Sequence, residues 1–429
     1  MKHPFSALAA CATLVAPTIA QARNLAVPAE YATIQQAIDA SSNGDFVLVS
    51  PGTYHERITI DGRAIAVIGE AGAAATTIDA DYLGTAVTIT NATRATTLQS
   101  FTITRGRGDY GGGVLVNGGS ASIIGNRIQG NLGASFGNGI MLWGGSAYVF
   151  GNVIVDNASG NFSSGGGGGG GIGVLGGDGA EIRGNVISRN STDAYTSGGG
   201  IYIDGGGAMA IVGNIITDNT APSEGGGIAM FNGTDARIEN NLITGNRVLS
   251  PSGFGGGVYA LVWHSRGPFL IGNTFVDNEA GTGSAIYVDW NVLAVRIANN
   301  VVTSTSTASA VYCGSFNNVH PPIIMNNDVY APAGTAYAGL CADVEGADGN
   351  FSADPLFVGA TDYRLRASSP AIDAGLDPFV AEPLDFDAKT RITDGDGDGT
   401  PRVDLGAFEH PGDRLFADGF EPTSANPSH

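Results

Sequence analysis

Lysine is nearly missing from this chain, since only Lys2 and Lys389 occur in 429 residues. Acidic residues outnumber lysine and arginine by 40 to 20, and the formal net charge is −20. Proteins that bind nucleic acids neutralise phosphates with clustered lysine and arginine, so this composition argues against a nucleic-acid partner. The same charge disfavours a polyanionic glycan unless a cation bridges the two surfaces.

Long hydrophobic runs are also missing beyond the N-terminus, and no later stretch is long and apolar enough to span a bilayer. Residues 1–22 combine a positive start at Lys2, an apolar stretch and Ala-Gln-Ala at 20–22. They predict a secretory signal peptide that is removed before Arg23. A lipoprotein signal ending at Cys11 is an alternative, but its apolar stretch is very short. We therefore expect a protein that is secreted or held in the cell envelope.

What the chain has in excess is glycine, with 67 residues, together with a repeated Gly-Asn pattern inside a chain that is 43% hydrophobic. The first asparagine of each unit is followed by the next at intervals of 26, 33, 29, 27, 32, 27 and 27 residues. These asparagines are Asn126, Asn152, Asn185, Asn214, Asn241, Asn273, Asn300 and Asn327. Intervals of this kind are typical of a solenoid with loops of varying length.

Three columns of apolar residues accompany the asparagines. The first column stands three residues before them: Ile123, Val149, Ile182, Ile211, Ile238, Leu270, Ile297 and Ile324. The second stands two residues after them: Ile128, Ile154, Ile187, Ile216, Ile243, Phe275, Val302 and Val329. The third lies about thirteen residues upstream: Val114, Ile140, Ile172, Ile201, Ile228, Val258 and Ile286. Three short β-rich segments per unit predict an all-β fold, a three-faced parallel β-helix with one continuous core.

The asparagines are expected at tight turns between strands, where Asn tolerates the left-handed region and its amide can bond to the amide of the next coil. Such ladders satisfy polar groups that would otherwise be buried without partners. A second asparagine, five residues later, recurs at 131, 157, 190, 219, 246 and 278 and is expected to serve the next turn.

With these ladders and columns the chain resembles the right-handed parallel β-helix proteins of the pectin-lyase-like class over residues 30–410. The entry segment at 31–60, with Pro-Gly-Thr-Tyr at 51–54, is similar to the start of many such proteins. Thr33 and Gln36 form a capping-box pattern, and Ile34 and Ile38 share one helical face that can cover the end of the solenoid. The predicted organisation is a signal peptide at 1–22, an N-terminal cap at 23–45, repeats at 46–345, a C-terminal segment at 346–410 and a tail at 411–429.

Two cysteines remain after export, Cys313 and Cys341, and their separation of 28 residues is nearly one repeat. Stacking places them on neighbouring coils within disulfide reach, where a bridge contributes about 3–4 kcal/mol. The alternative is a pair of buried free thiols.

The strand after each glycine cluster also carries outward-facing residues, and several are aromatic. We expect Trp143, Tyr202, Phe231, Tyr259 and Tyr287 to form an exposed platform on which sugar rings stack. The alternative is that aromatic residues simply suit a β-sheet surface. Insertions at 159–171, 247–254 and 264–269 are expected to shape one side of this face.

Catalysis on this face has only weak candidates: Asp204, Glu224, Asp289, His264 and Arg266. The resemblance implies pectate-lyase relatives, which need calcium and a basic residue. Asp204 and Asp289 lie three coils apart, about 14 Å, which is too far for a glycosidase pair. The sequence motifs of pectin methylesterases and of polygalacturonases are not found here.

A calcium site is predicted outside the repeats, in Asp-Gly-Asp-Gly-Asp-Gly at 394–399. Its ligands would be the carboxylates of Asp394, Asp396 and Asp398, the carbonyl of Thr400 and the late carboxylate of Asp404. Asp404 falls at position eleven, where the EF-hand pattern has an acid at twelve, and an unliganded acidic turn is the alternative. The Ca²⁺ would be structural.

The leading functional hypothesis is contact with extracellular polysaccharide, without established catalysis. The rivals are a polysaccharide lyase or related carbohydrate-active enzyme and a structural or adhesive rod. The tail at 411–429 resembles short sorting segments of secreted bacterial proteins, with a frayed terminus as the alternative.

Overall fold

Short strands that recur once per coil build three long parallel sheets. The computed structural model describes residues 21–412 apart from 160–166, 194–195, 233, 262, 264–266, 290–294 and 317–321. Residues 1–20 of the predicted signal peptide and residues 413–429 of the predicted tail lie outside the described residues. Each coil contributes one strand to each sheet, and the chain passes through sheets A, B and C in turn.

Sheet A contains twelve strands, in spatial order Asn24–Val27, Phe46–Val49, Ala66–Gly69, Thr97–Gln99, Ser122–Ile124, Tyr148–Phe150, Glu181–Arg183, Ala210–Val212, Arg237–Glu239, Phe269–Ile271, Arg296–Ala298 and Ile323–Met325. Sheet B contains eleven: Gly52–Tyr54, Thr76–Asp79, Thr102–Thr104, Arg127–Gln129, Val153–Val155, Val186–Ser188, Ile215–Thr217, Leu242–Thr244, Thr274–Val276, Val301–Thr303 and Asp328–Tyr330. Sheet C also contains eleven: Ile58–Asp61, Val87–Ala92, Val114–Gly119, Ile140–Trp143, Ile172–Leu175, Ile201–Asp204, Ile228–Phe231, Val258–Leu261, Ile286–Asp289, Ser309–Cys313 and Thr335–Gly339.

The register of these strands confirms the predicted stacking. Ile182 pairs with Ile211, and Ile211 pairs with Ile238, so each column of the sequence becomes a column of the core. No member of the three predicted columns is more than 4% exposed. Burial of the three columns removes their aliphatic surface from water along the whole solenoid, and this is the main stabilising contribution.

Two asparagine ladders run along the corners, as predicted. In the first, Asn185 donates from its side-chain amide to Oδ1 of Asn214 at 3.0 Å, and Asn214 repeats the contact to Asn241 at 2.9 Å. In the second, Asn190 donates to Oδ1 of Asn219 at 3.0 Å. The first ladder also continues one rung further, because Asn327 donates to Asn350 at 2.9 Å.

The ladder asparagines themselves do not take the left-handed conformation, so that part of the explanation is wrong. The residue before each one does, as in Gly213, with φ of 63°, and Asn240, with φ of 54°. The two residues of the recurring Gly-Asn pair therefore have different roles. The first takes the left-handed conformation at the turn, and the second forms hydrogen bonds to the next coil.

The N-terminal end of the solenoid is covered by a short helix. Helix α1, Ile34–Ala40, buries Ile34 and Ile38, and the Thr33 side chain accepts a hydrogen bond from the Gln36 backbone at 3.1 Å. This confirms the predicted N-cap. Cys313 and Cys341 form the predicted disulfide, with a Cα–Cα distance of 5.6 Å.

The C-terminal segment, residues 346–410, returns along the outside of the solenoid. It contains a 3₁₀ helix, Asp377–Phe379, and an antiparallel pair, Ile392–Thr393 with Arg402–Val403. Glu239, which is 1% exposed, accepts backbone hydrogen bonds from Ala381 at 3.1 Å and from Glu382 at 3.2 Å. Among the described residues, no helix is long and apolar enough to cross a membrane.

Candidate functional site

A small fourth sheet lies over part of the outward face of sheet C and covers side chains there. Its parallel strands arise from the corner between sheets B and C: Arg107–Tyr110, Leu132–Phe136, Ala158–Ser159, Gly167–Gly168 and Thr196–Ser197. We call it the lid sheet. A further parallel pair, Thr220–Ala221 with Arg247–Val248, continues the row.

The first outward column of sheet C is buried, Tyr202 under the lid sheet and Tyr259 and Tyr287 against Phe254. Tyr202, Tyr259 and Tyr287 are only 8%, 7% and 8% exposed. Phe136 of the lid packs on Tyr202 with ring centroids 5.4 Å apart, and a Cβ on Gly168 would lie 2.3 Å from the same ring. The expectation that these tyrosines stand on an exposed platform is therefore wrong, because alternation along a strand does not reveal what covers it. Their role as glycan contacts remains a prediction.

The three buried tyrosines and two half-buried rings form one continuous row along the solenoid axis. Centroids are 5.4 Å apart from Tyr202 to Phe231, from Phe231 to Tyr259 and from Tyr259 to Tyr287, and 5.3 Å apart from Tyr287 to Tyr312. Contacts at these distances favour a rigid stack. Burial, followed by nearby carboxylates, raises the pKa of Tyr202, Tyr259 and Tyr287 well above the usual tyrosine value.

The second outward column is more exposed and carries the accessible chemistry. Trp143 is 44% exposed, Asp204 and Phe231 are half-buried, and Leu175 and Leu261 beside them are half-buried too. We call these five residues the sheet C strip. Their backbones pair in register from Trp143 through Leu175 and Asp204 to Phe231 and Leu261, so they form a single line of side chains.

The predicted catalytic carboxylates are each held by neighbouring groups. Asp204 accepts from the Asn232 amide at 2.6 Å and, at 3.5 Å, from the Tyr202 hydroxyl. Its register confirms that Asp204 and Asp289 are three strand spacings apart.

The other two acids lie close to the buried tyrosines. Glu224 accepts from the hydroxyls of Ser197 and Ser223, each at 2.7 Å. Asp289 is 6% exposed and accepts from the Tyr287 hydroxyl at 3.0 Å. Both carboxylates contribute to the raised pKa of Tyr259. His264 and Arg266 lie outside the described residues.

A separate acidic group forms in the C-terminal segment and contains two of the five predicted metal ligands. Carboxylate oxygens of Asp394, Asp396 and Asp373 lie within 4.8 Å of one another, an arrangement that could hold a metal ion. Asp373 is not among the ligands predicted from the sequence. Its carboxylate accepts backbone hydrogen bonds from Gly395 at 2.9 Å and Asp396 at 2.8 Å, which fixes the loop against it.

The remaining predicted ligands lie beside this group. Asp398 accepts from the Thr400 backbone at 2.7 Å, closing a local turn. Asp404 is fully buried, accepts from the His410 backbone at 2.6 Å, and burial raises its pKa to about 7. The neighbouring Glu409 is also buried, which raises its pKa to about 9, and Arg391 lies 3.8 Å away.

A second acidic group near the N-terminal end consists of His55, Asp79 and Asp81. Arg105 already bridges it, since its guanidinium bonds to Asp79 and lies 2.7 Å from Asp81. Burial alone would raise the pKa of Asp79, but the hydrogen bonds from Arg105 hold it below its usual value. The guanidinium supplies the positive charge that a cation would otherwise provide.

Comparisons with a protein-family model and with a solved structure agree with the β-helix fold described above. A family model described as "Right handed beta helix region" matches residues 85–346. No curated protein matches the chain. The solved structure of pectate lyase Pel9A is similar with a TM-score of 0.52 at 16% identity, covering 92% of this chain and 98% of that one.

Two further solved structures share less of the geometry. The polysaccharide lyase Pedsa3628 of the PL6 family, from Pseudopedobacter saltans, has a TM-score of 0.26 at 11% identity, covering 74% of this chain and 94% of that one. The PL6 family alginate lyase AlyGC has a TM-score of 0.28 at 12% identity, covering 78% of this chain and 53% of that one. At 16% identity the likeness to the pectate lyase structure shows the fold alone.

Proposed function

The chain belongs to the right-handed β-helix family, and on that premise we propose that it is an exported protein that contacts extracellular polysaccharide through the sheet C strip. The observation that carries the proposal is the line of exposed Trp143 with half-buried Asp204 and Phe231, in which Phe231 also belongs to the aromatic row. Aromatic faces stack on the C–H faces of sugars, and a carboxylate accepts hydrogen bonds from sugar hydroxyls.

The length of the strip favours a polymer over a single sugar. Trp143 and Phe231 are three strand spacings apart, about 14 Å, so one monosaccharide cannot contact both rings. The disulfide and the residues resembling a signal peptide support export, because disulfides persist in oxidising compartments.

The test is the affinity of a double variant, Trp143→Ala with Phe231→Ala, for a panel of neutral and uronate hexasaccharides measured by calorimetry. We expect at least about a tenfold loss for at least one hexasaccharide of the panel, because both stacking surfaces of the strip are removed. Phe150→Ala is the matched control, since Phe150 is 43% exposed but lies on sheet A. Equal affinities for the double variant and the control would refute the strip as the contact surface.

A polysaccharide lyase is the second candidate, and the likeness in fold to a pectate lyase favours it. Asp204 is the carboxylate within the strip, so a lyase would use it together with His264 or Arg266. Incubation with uronate polysaccharides, with and without calcium, would release unsaturated products that absorb in the ultraviolet. If no such products form while hexasaccharides bind, the protein is a binding protein. If no hexasaccharide binds either, the remaining candidate is an adhesive or structural rod.

We further propose that the acidic group of the C-terminal segment binds Ca²⁺. Asp394 and Asp396 alternate with glycines along one turn, and Asp373 contributes a third carboxylate. Oxygen-only ligands with flexible spacing suit Ca²⁺ better than softer metals. The ion would stabilise the C-terminal segment, because ligand binding to the folded state raises stability.

Calorimetric titration with CaCl₂ tests this second proposal. We expect saturable binding and a higher melting temperature in the native chain, and loss of both in Asp396→Asn, because ligand binding to the folded state raises stability. Asp109→Asn, an exposed acid in the lid sheet, is the control and should bind as the native chain does. Absence of binding at about 1 mM Ca²⁺ would contradict the assignment, since even weak extracellular sites saturate near that range.

A further inference from the structure

A second concave site lies on sheet B, away from the sheet C strip. It has a volume of about 310 Å³ and is enclosed by the last coils of sheet B on one side and by residues 354–363 on the other. We call it the C-terminal pocket. Small-molecule sites in proteins begin at about this size, so it can take one sugar residue.

The floor of the C-terminal pocket is a regular part of the solenoid. Val276, Thr303 and Tyr330 pair in register on neighbouring coils, and their outward side chains line the base. At one rim Asp277 is held in position, because its Oδ1 accepts from the Thr305 backbone at 3.1 Å and from the Thr305 hydroxyl at 2.9 Å. The floor is therefore ordered independently of any ligand.

The opposite wall is an ordered turn of the C-terminal segment. Val358 donates a backbone hydrogen bond to Arg364 at 2.9 Å, and Gly359 donates to Asp362 at 3.0 Å. The turn carries Phe357 and Tyr363, whose rings meet edge to face with centroids 5.4 Å apart. A pocket whose walls are already fixed loses little conformational entropy when a ligand binds.

The chemistry of the lining combines aromatic rings with negative charge. Tyr330, Phe357 and Tyr363 provide apolar ring surface, and Asp277 and Asp354 provide carboxylates. Among the residues that the structure describes, no lysine, arginine or histidine lines this pocket. Burial, followed by the carboxylates of Asp277 and Asp218, raises the pKa of Tyr363, which indicates a negative potential at the wall.

We propose that the C-terminal pocket is a separate saccharide subsite that binds a neutral sugar residue and rejects uronates. The rings stack on the sugar, Asp354 accepts from its hydroxyls, and the two carboxylates repel a third. The subsite does not depend on the sheet C strip, since it lies on another sheet and shares no residue with it.

A variant that fills the pocket tests the proposal without disturbing the core. Ala360 lines the pocket but is exposed, so Ala360→Trp should occupy the space while leaving the fold intact. Thr361→Trp adds the same ring at the next position, which is exposed and does not line the pocket. Melting temperatures of both variants should match that of the native chain and so establish that they fold.

The probes are neutral hexasaccharides of glucose, mannose and galactose, and a galacturonate hexasaccharide, titrated by calorimetry. We expect a neutral probe to bind, Ala360→Trp to weaken that binding at least about tenfold, and Thr361→Trp and Trp143→Ala to leave it within about twofold. We also expect Asp354→Asn to improve galacturonate binding by about tenfold, because one repulsive charge is removed.

Three results would overturn the proposal: no neutral probe binds, Ala360→Trp leaves every affinity unchanged, or galacturonate binds the native pocket as well as a neutral sugar does. Loss of neutral-sugar binding in Trp143→Ala but not in Ala360→Trp would also overturn the proposal, and it would place the binding site at the sheet C strip. Failure of the two sites is therefore distinguishable.

Discussion

Asn214→Ala is the most informative change to the solenoid, because Asn214 lies in the middle of the first ladder. Its Oδ1 accepts from the Asn185 backbone at 2.9 Å and from the Asn185 amide at 3.0 Å. Its amide donates to the Ile182 carbonyl and to Oδ1 of Asn241, both at 2.9 Å. Alanine removes these contacts from a position that is fully buried.

The loss can be estimated from these hydrogen bonds. The buried Asn185 N–H loses its acceptor, which costs about 1–3 kcal/mol. The other three hydrogen bonds contribute about 1 kcal/mol each, and partial relaxation recovers some of this. We therefore expect Asn214→Ala to lower the free energy of unfolding by about 4 kcal/mol.

Urea unfolding followed by circular dichroism measures the change, with Asn117→Ala as the control. Asn117 is an exposed asparagine on the outward face of sheet C, and its replacement should cost less than about 0.5 kcal/mol. If Asn214→Ala and Asn117→Ala unfold at the same urea concentration, the ladders do not stabilise the fold as we infer.

Three further changes test other parts of the structure. Replacing Cys313 and Cys341 together by alanine should lower the free energy of unfolding by about 3–4 kcal/mol, measured in urea against the oxidised native chain; an unchanged midpoint would contradict it. Burial raises the pKa of Asp328 to about 7, so the folded state binds its proton more tightly than the unfolded state. The free energy of unfolding should therefore fall as pH rises from about 4 to about 7. In Asp328→Asn this fall should be smaller by on the order of 3 kcal/mol. Parallel pH profiles of unfolding for the two proteins would refute the prediction. Glu239→Ala removes the carboxylate that pairs with Arg237 and frees two backbone donors, so limited proteolysis should cut residues 376–391 faster than in the native chain. Equal cleavage rates would show that these contacts do not hold the segment against the solenoid.

The architecture could be predicted from the sequence because its signals are local and repeated. The first two aliphatic columns and the first ladder asparagine occur in all eight units, so stacking one unit on the next places like residues together. The disulfide followed from the same repeat length. Asn350 was missed because its unit is shorter, only 23 residues after Asn327.

The surface could not be predicted in the same way, because burial there depends on the path of the loops. Alternation placed Tyr259 and Trp143 on the same outward face, yet one is 7% exposed and the other 44%. The difference arises from residues such as Phe254, whose ring lies 6.4 Å from that of Tyr259 and has no periodic signal.

The acidic group of the C-terminal segment could be predicted only in part. Asp394 and Asp396 were recognised from their spacing, but Asp373 joins them from a distant part of the chain. The joining contacts are backbone hydrogen bonds to Asp373, one of them from Arg402 at 3.2 Å. Contacts of this kind have no residue-type signature in the sequence.

The most direct measurement of the central claim is hydroxyl-radical footprinting of the native chain with and without the hexasaccharide that it binds best. If the sheet C strip contacts glycan, oxidation of Trp143 and Phe231 should slow in the presence of the ligand. Phe150, which is as exposed as Trp143, should be oxidised at an unchanged rate. Unchanged rates at Trp143 and Phe231 under saturating ligand, or equal protection of Phe150, would contradict the account.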